Sequence, residues 1–187
     1  YIGPYKDGTG WGQAAINNIL SLDAAGVEVV PRALKLNNNK IDLPERVKEL
    51  EENSDKGCDI VIQNSLPHHM EYNGNFKKNI AYIFLETTHF RNSSWAEYLN
   101  LMDECWVPCI HNDYTCRESG VDVPLHVIPQ GCDTSKYQQV YEPLPIPHLK
   151  NKCIFYTIGE VNRRKNLVAL IKAYHLAFKP DDDVELV

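Results

Sequence analysis

The stretch GEVNRRKNL, residues 159–167, places three cations between an apolar run and the start of a helix-like pattern. Arg163, Arg164 and Lys165 follow a strand-like segment that Gly159 closes. One interpretation is a solvated turn, because charged residues are common in surface loops. The other is an anion site, since a helix N-terminus offers unpaired N–H groups and the positive end of the helix dipole.

A second candidate is the glycine-rich stretch DGTGWGQ, residues 7–13, which follows a short strand-like segment. Gly8, Gly10 and Gly12 would let the backbone approach a ligand closely and leave N–H groups pointing outward. In the dinucleotide fingerprint G-x-G-x-x-G, the last glycine would fall where Gln13 stands, so a nicotinamide or flavin site is disfavoured. The stretch is either a plain tight turn or a loop that faces a ligand.

Polar and titratable side chains follow two consecutive buried-type strands, in QNSLPHH and FLETTHF. These side chains are Asn64, His68 and His69 after the first strand, and Glu86, Thr88 and His89 after the second. A histidine at a strand end is often structural. A carboxylate and imidazoles that meet at one edge of a sheet indicate a polar site instead.

The six cysteines offer one further candidate. Cys105, Cys109, His111 and Cys116 could be drawn as a zinc site, but their spacing does not match paired Cys-x-x-Cys ligands. The chain is long enough to fold without disulfide bonds, and we recognise no secretory signal. We therefore expect free thiols that behave as small hydrophobic side chains, and no metal.

Composition limits the function classes. The chain has 187 residues, of which 43% are hydrophobic and 24% charged, as in a globular protein. A net charge of −6 argues against a general nucleic-acid or anionic-membrane binder. No apolar run approaches the roughly 20 residues of a membrane span. We predict a cytoplasmic protein without an integral membrane segment, in which any polyanion is bound locally.

Short apolar runs alternate with longer amphipathic ones, and these elements must position the candidate residues. After a first strand at 1–3, the pattern predicts strands at 27–31, 58–63, 79–86, 104–108 and 125–129, and helices at 13–25, 42–53, 93–102 and 110–120. Such alternation predicts right-handed β-α-β units in an α/β fold with a doubly wound parallel sheet. Ligands of such sheets bind beyond the carboxyl ends of the strands.

The pattern changes after Tyr137. Prolines at positions 143, 145 and 147 indicate an extended linker. A strand (152–158), the basic turn (159–165), a helix (166–178) and a strand (184–187) then follow. We predict a first domain at 1–137, a linker at 138–150, and at 151–187 the start of a second, truncated α/β domain. Both ends of the chain look cut.

Three stretches together resemble a known family: YLNLMDECWVPC, SGVDVPLHVIPQGCDTSKY and FYTIGEVNRRKNLVALIKAYHLAF. The chain resembles glycosyltransferases of the two-domain, Rossmann-like GT-B type, and more narrowly the retaining family 4 (glycosyl transferases group 1). The similarity spans residues 1–187 in order and is strongest from Trp95 onward. In that family the segment at Val127–Tyr137 leads into the linker, and the basic turn binds the diphosphate of a nucleotide sugar.

The resemblance assigns roles to the donor side. Lys165 matches the family's lysine, with Arg164 just before it, while Glu160 stands where the family usually has an arginine. Arg163 or Arg164 is expected to replace that arginine. The loop GTGWG matches the family's first-strand loop, so Gly10 and Gly12 are expected at the donor diphosphate. The resemblance implies a nucleotide-diphosphate sugar as donor substrate, with no cofactor and no metal.

The resemblance also assigns an acceptor side, for a glycan, lipid or small molecule. Thr9, Trp11 and Asn64 are expected there. Glu86 lies at the strand end where many members carry a histidine near the reacting carbon, and is the catalytic candidate, with His68 and His89 as alternatives.

Two other functions remain open, a non-catalytic nucleotide- or sugar-binding module of the same fold and a nucleotide-sugar epimerase. The family's motif for the ribose and sugar lies beyond Val187, so we expect the 187 residues alone to be inactive.

Overall fold

The computed structural model of the chain describes residues 1–38, 41–142, 146, 149 and 151–187. The chain divides into two compact units, Tyr1–Tyr137 and Gln138–Val187. Each unit is described by itself below. The three prolines on which the linker prediction rests, at positions 143, 145 and 147, lie outside the described residues.

The described part of the first unit contains a six-stranded sheet whose strand pairs are all parallel. Its strands are Ile2–Gly3 (β1), Arg32–Ala33 (β2), Ile60–Asn64 (β3), Lys78–Tyr82 (β4), Glu104–Val107 (β5) and Leu125–Val127 (β6). They lie in the order β2-β1-β3-β4-β5-β6. The prediction of an α/β fold with a parallel sheet is confirmed, and the arrangement is consistent with a Rossmann-like fold. The strand order reverses between β1 and β3, which is where ligands of such sheets bind.

Four α-helices accompany this sheet in the described residues: Gly10–Ala24 (α1), Glu45–Glu51 (α2), Trp95–Leu99 (α3) and Ile110–Glu118 (α4). They cover both faces. Ala81, Cys105 and Val107 alternate onto one face and pack with Leu99 of α3 and Cys116 of α4. Tyr82 and Trp106 lie on the other face and contact each other. There, the ring of Phe84 contacts both Tyr82 and Trp11 of α1.

A second buried cluster joins α1 and α2. Ile16 and Ile19 of α1 pack with Val47 and Leu50 of α2 around the fully buried ring of Tyr5. Burial of this apolar surface is what holds the two helices, since short helices gain most of their stability from tertiary packing.

The second unit is smaller and contains a parallel strand pair with a connecting helix. Cys153–Phe155 (β7) pairs with Val184–Leu186 (β8), and Leu167–Ala177 (α5) lies between them in sequence. No residue of α5 is buried among the described residues.

The predicted strand at 27–31 is wrong. The structure has no strand at these residues, and β2 begins at Arg32. Pro31 has no N–H to donate to a neighbouring strand, whereas the Arg32 and Leu34 N–H groups donate to the carbonyl oxygens of Tyr1 and Gly3. Val29 is buried without belonging to a strand, so its apolar character reflects core packing.

Helix α1 begins three residues earlier than the predicted start at Gln13. Gly10 and Gly12 have low helix propensity, which favoured a loop in the sequence-based prediction. The signal that could have corrected it is Thr9, a preferred N-cap residue.

The described residues include no helix that is long and apolar enough to cross a membrane.

Candidate functional site

The glycine-rich stretch at residues 7–13, here called the glycine loop, follows the carboxyl end of β1. It lies next to the point where the strand order reverses. Thr9 is the N-cap of α1, and its Oγ1 accepts a hydrogen bond from the Gly12 N–H at 3.1 Å. The backbone carbonyl of Thr9 accepts a second bond from the Gln13 N–H at 2.9 Å. The side chain of Thr9 therefore has a structural partner, although it was predicted on the acceptor side.

Gly10 and Gly12 have different environments, although both were predicted at the donor diphosphate. A Cβ on Gly12 would lie 3.0 Å from the Pro4 carbonyl oxygen, so the missing side chain lets α1 pack closely against the loop after β1. A Cβ on Gly10 would meet no described atom within 4 Å. Of the two, Gly10 borders the open space that a ligand would need.

Asn64, at the end of β3, is buried within a hydrogen-bond network. Its Oδ1 accepts from the Tyr1 hydroxyl at 3.0 Å, and its Nδ2 donates to the Tyr82 carbonyl at 2.9 Å. Both ends of the amide are thus used to join the residue before β1 to the ends of β3 and β4. This placement gives Asn64 a role in positioning the strand ends; its predicted acceptor contact would be additional.

The network extends to the loop that follows β6. Asn18 of α1 donates to the Tyr1 hydroxyl at 3.4 Å and accepts from the Gly131 N–H at 3.2 Å. A Cβ on Gly131 would lie 3.0 Å from the Asn17 carbonyl oxygen and closer still to the Ser21 hydroxyl. Sequence reasoning did not identify Asn18, because a polar residue within an amphipathic helix gives no distinguishing signal.

Trp11 and Phe84 form an aromatic contact at the same edge of the sheet. Their ring centroids are 5.1 Å apart in an edge-to-face geometry, and the ring of Tyr82 lies 4.9 Å from Phe84. Tyr82 is buried, its hydroxyl donates to the Ile128 carbonyl at 2.8 Å, and burial raises its pKa to about 12. Phe84 was missed from sequence, although the alternation in NIAYIFLE places it on the same side as Tyr82.

His68 and His69 lie in a 3₁₀ turn at Pro67–His69 directly after β3. The two imidazoles are 4.1 Å apart, and His68 stacks on Trp95 at 6.3 Å. Trp95 in turn packs beside Phe90 and the core cluster that includes α3. His68 is thus brought to α3, whereas Trp11 lies with Phe84 on the opposite side of the sheet.

Glu86, Thr88 and His89 follow β4 and are all exposed. Their backbone is held in place on both sides. The Asn112 side chain bonds the N–H and carbonyl of Leu85, and the Thr87 hydroxyl donates to the His89 carbonyl. The segment therefore presents a carboxylate and an imidazole to solvent at the carboxyl end of the sheet.

The basic turn lies in the second unit, at the N-terminus of α5. Asn166 is the N-cap in the left-handed conformation, with φ of 50°, and its Oδ1 accepts from the Ala169 N–H at 3.4 Å. The Asn162 Oδ1 accepts from the Lys165 N–H at 3.0 Å, and its Nδ2 donates to Glu160 at 3.2 Å. Asn162, which sequence reasoning missed, thereby orders the turn and gives Glu160 a partner.

The cations of this turn are exposed, and the first turn of α5 has no acidic residue. Lys165 lies back over Gly159, where a Cβ would be 4.0 Å from its Cε. Within the described ranges, neither Arg163 nor Lys165 forms an ion pair. The structure thus presents cationic side chains beside helix N–H groups, an arrangement suited to an anion.

The candidate zinc residues are separated by their environments. Cys105 and Cys116 are buried in the core cluster beside each other's thiols, and this contact together with burial raises the pKa of Cys105. Cys109 and His111 are exposed. All six cysteines are free, and the residues that the structure covers contain no group of side chains suited to a metal ion.

Two features can support chemistry: an open, aromatic and carboxylate-bearing sheet edge in the first unit, and a cationic helix N-terminus in the second. Comparison of the chain with protein-family models and with curated proteins finds no match.

Proposed function

We propose that the chain carries the acceptor side and part of the donor diphosphate site of a retaining glycosyltransferase, which moves a sugar from a nucleotide-diphosphate sugar to an acceptor. The observation that carries the proposal is the turn before α5. There, Lys165 lies over Gly159 and, within the described residues, has no carboxylate partner, while Asn166 caps the helix.

The chemistry of such a transfer needs this type of site. As the glycosidic bond breaks, the leaving nucleoside diphosphate gains negative charge. Cations and helix N–H groups that are already in place stabilise that charge without reorganising during the reaction. Lys165 and Arg164 are the proposed ligands, and Arg163 is the third cation of the turn. On the acceptor side, Glu86 is proposed near the reacting carbon, with His68 and His89 as alternatives.

The proposal is tested by titrating the chain with uridine and guanosine diphosphates while following backbone amide signals by NMR. We expect the largest shifts at Gly159 and Lys165–Ala169. A charge-assisted hydrogen bond contributes about 1.5–3 kcal/mol, so two phosphate contacts of about 2 kcal/mol each correspond to roughly millimolar affinity.

Lys165→Ala should weaken this binding, whereas Lys172→Ala removes an exposed charge later on α5 and should not. Equal effects of the two substitutions, or shifts that avoid the turn, would contradict the proposal.

Sugar transfer itself is measured with a protein that joins these residues to a complete nucleotide-sugar-binding domain, by following product anomers from nucleotide sugars. Product with the donor's anomeric configuration supports the proposal. Nucleotide binding without transfer would support a binding module, and sugar interconversion without an acceptor an epimerase.

A further inference from the structure

The aromatic rings Trp11, Phe84 and Tyr82, here called the aromatic series, end in a partly exposed indole at the carboxyl edge of the sheet. Trp11 is 39% exposed, although it is the largest apolar side chain of the glycine loop. Its ring meets Phe84 at 61° in an edge-to-face contact, and the remaining exposed surface of the side chain faces solvent.

Trp11 contacts a ring that is itself packed on a buried neighbour. Phe84 packs on Tyr82, which is buried and tied by its hydroxyl to the Ile128 carbonyl. A rigid aromatic surface loses little conformational entropy when it binds, and such surfaces dominate recognition for this reason. Gly10, the residue before Trp11, has no side chain to cover the space beside it.

We propose that Trp11 is the stacking surface for a neutral pyranoside, which is the acceptor of the transferase described above. The C–H face of a pyranose ring is apolar, and it can lie on the open indole while its hydroxyls stay at the rim. The inference rests on the proposed function only in identifying the bound pyranoside as the acceptor. The binding of the pyranoside itself requires no donor.

Glu86 supplies the polar part of this recognition and sets its charge. Ile83 and Leu85 are buried in the core cluster beside α3 and α4, whereas Phe84 contacts Trp11, and the exposed Glu86 follows Phe84 by two residues. An exposed carboxylate accepts hydrogen bonds from sugar hydroxyls and repels anionic sugars. The net charge of −6 acts in the same direction.

The experiment follows the indole N–H signal of Trp11, identified by its loss in Trp11→Phe, during titration of the chain. The probes are methyl glycosides of glucose, galactose and mannose, with mannitol as an open-chain control and methyl glucuronide as an anionic control. We expect a saturable shift with at least one neutral glycoside, none with mannitol, and weaker binding of the glucuronide.

Trp11→Ala should weaken the neutral glycoside about tenfold, the scale of one aromatic contact. Tyr114→Ala, which removes a 59% exposed aromatic ring from α4, should have no effect. Far-ultraviolet circular dichroism and the amide spectrum verify that each variant folds.

The stacking proposal is overturned if no neutral glycoside shifts the Trp11 signal at roughly 50 mM, which corresponds to negligible affinity. It is also overturned if mannitol acts equally or if Trp11→Ala binds as before. Equal binding of the glucuronide would overturn the proposed charge preference. Because the diphosphate titration reports on the basic turn and α5 and not on Trp11, pyranoside binding without diphosphate binding would contradict the transferase proposal and leave this one standing.

Discussion

Leu99 of α3 is fully buried in the first unit, whereas Phe155 of β7 and Val168 of α5 are 43% and 65% exposed in the second. The residue types are similar, but their environments are opposite. In the first unit, packing of apolar side chains holds the helices on the sheet. In the second, the described contacts include the β7–β8 hydrogen bonds, the Lys152–Glu185 ion pair, the Asn166 cap and a small group of rings in which Phe155 packs with Tyr174 and Phe178. An apolar helix face needs a cover to be stable in water, so the second unit should tolerate substitution but open easily.

The largest expected effect is in the buried core. Leu99→Ala should lower the free energy of unfolding by about 2–5 kcal/mol, because it removes buried methyl groups and leaves a cavity. Ile171→Ala, on an exposed position of α5, should change it by no more than about 0.5 kcal/mol. Urea unfolding of both variants measures the difference. Equal losses would remove the distinction between the two units.

Glycine substitutions test the same contrast by adding a methyl group. Gly131→Ala should cost about 1–3 kcal/mol, since the new Cβ would crowd the Asn17 carbonyl and Ser21. Gly159→Ala should leave stability within about 0.5 kcal/mol, because the nearest described atom is the flexible Lys165 side chain. Thermal unfolding compares the two. A larger loss for Gly159→Ala would show that the second unit is the more tightly packed.

The pH dependence of stability should also differ between the units. Glu104 of β5 is 8% exposed. Burial raises its pKa, but hydrogen bonds from Lys78 and Trp106 and the nearby charge of His126 outweigh burial and hold the pKa below its ordinary value of 4.5. The unfolded chain therefore binds the proton more readily. The stability that Glu104 contributes is complete above pH 4.5 and is lost as the pH falls through the folded-state pKa.

Glu104→Gln should accordingly lower the free energy of unfolding at pH 7 by about 1.5 kcal/mol and flatten its fall below pH 4.5. Glu185→Gln is the counterpart in the second unit, where the ion pair with Lys152 is partly exposed. It should cost about 0.5 kcal/mol or less. Urea unfolding from about pH 3, where carboxylates titrate, to about pH 7 measures both variants. If the free energy of unfolding of Glu104→Gln fell below pH 4.5 as steeply as that of the unsubstituted chain, the role given to Glu104 would be contradicted.

The smallest expected effects concern the two helix caps. Thr9→Ala should lower global stability by about 1 kcal/mol, because the Gly12 N–H loses its acceptor. Asn166→Ala should instead speed amide hydrogen exchange in α5 without a matching global loss. Asn166→Gly removes the capping side chain without straining the backbone, since glycine adopts the left-handed conformation freely. It therefore separates the loss of the cap from the effect of backbone strain. A global loss from Asn166→Ala would mean that α5 unfolds only with the whole chain.

The parallel sheet was predictable because β3 and β4 are apolar runs of strand length between turn signals. The strand at 27–31 was not, since only the register of pairing with β1 shows that Pro31 moves the strand to Arg32. The positions of Gly10, Trp11 and Glu86 at the sheet edge follow from strand ends. The burial of Asn64 and the contact of Trp11 with Phe84 depend on side-chain packing between segments distant in sequence, which no local pattern encodes.

The alternation of the segment Tyr82–Glu86 limits how its sequence can change. Ile83 and Leu85 face the core, whereas Tyr82 and Phe84 face α1, so substitutions can alter each side separately. A one-residue insertion or deletion would exchange the two sides, placing Ile83 and Leu85 toward α1 and the aromatic rings toward α3 and α4. Among homologous chains, this segment is therefore expected to vary in composition but to keep its length.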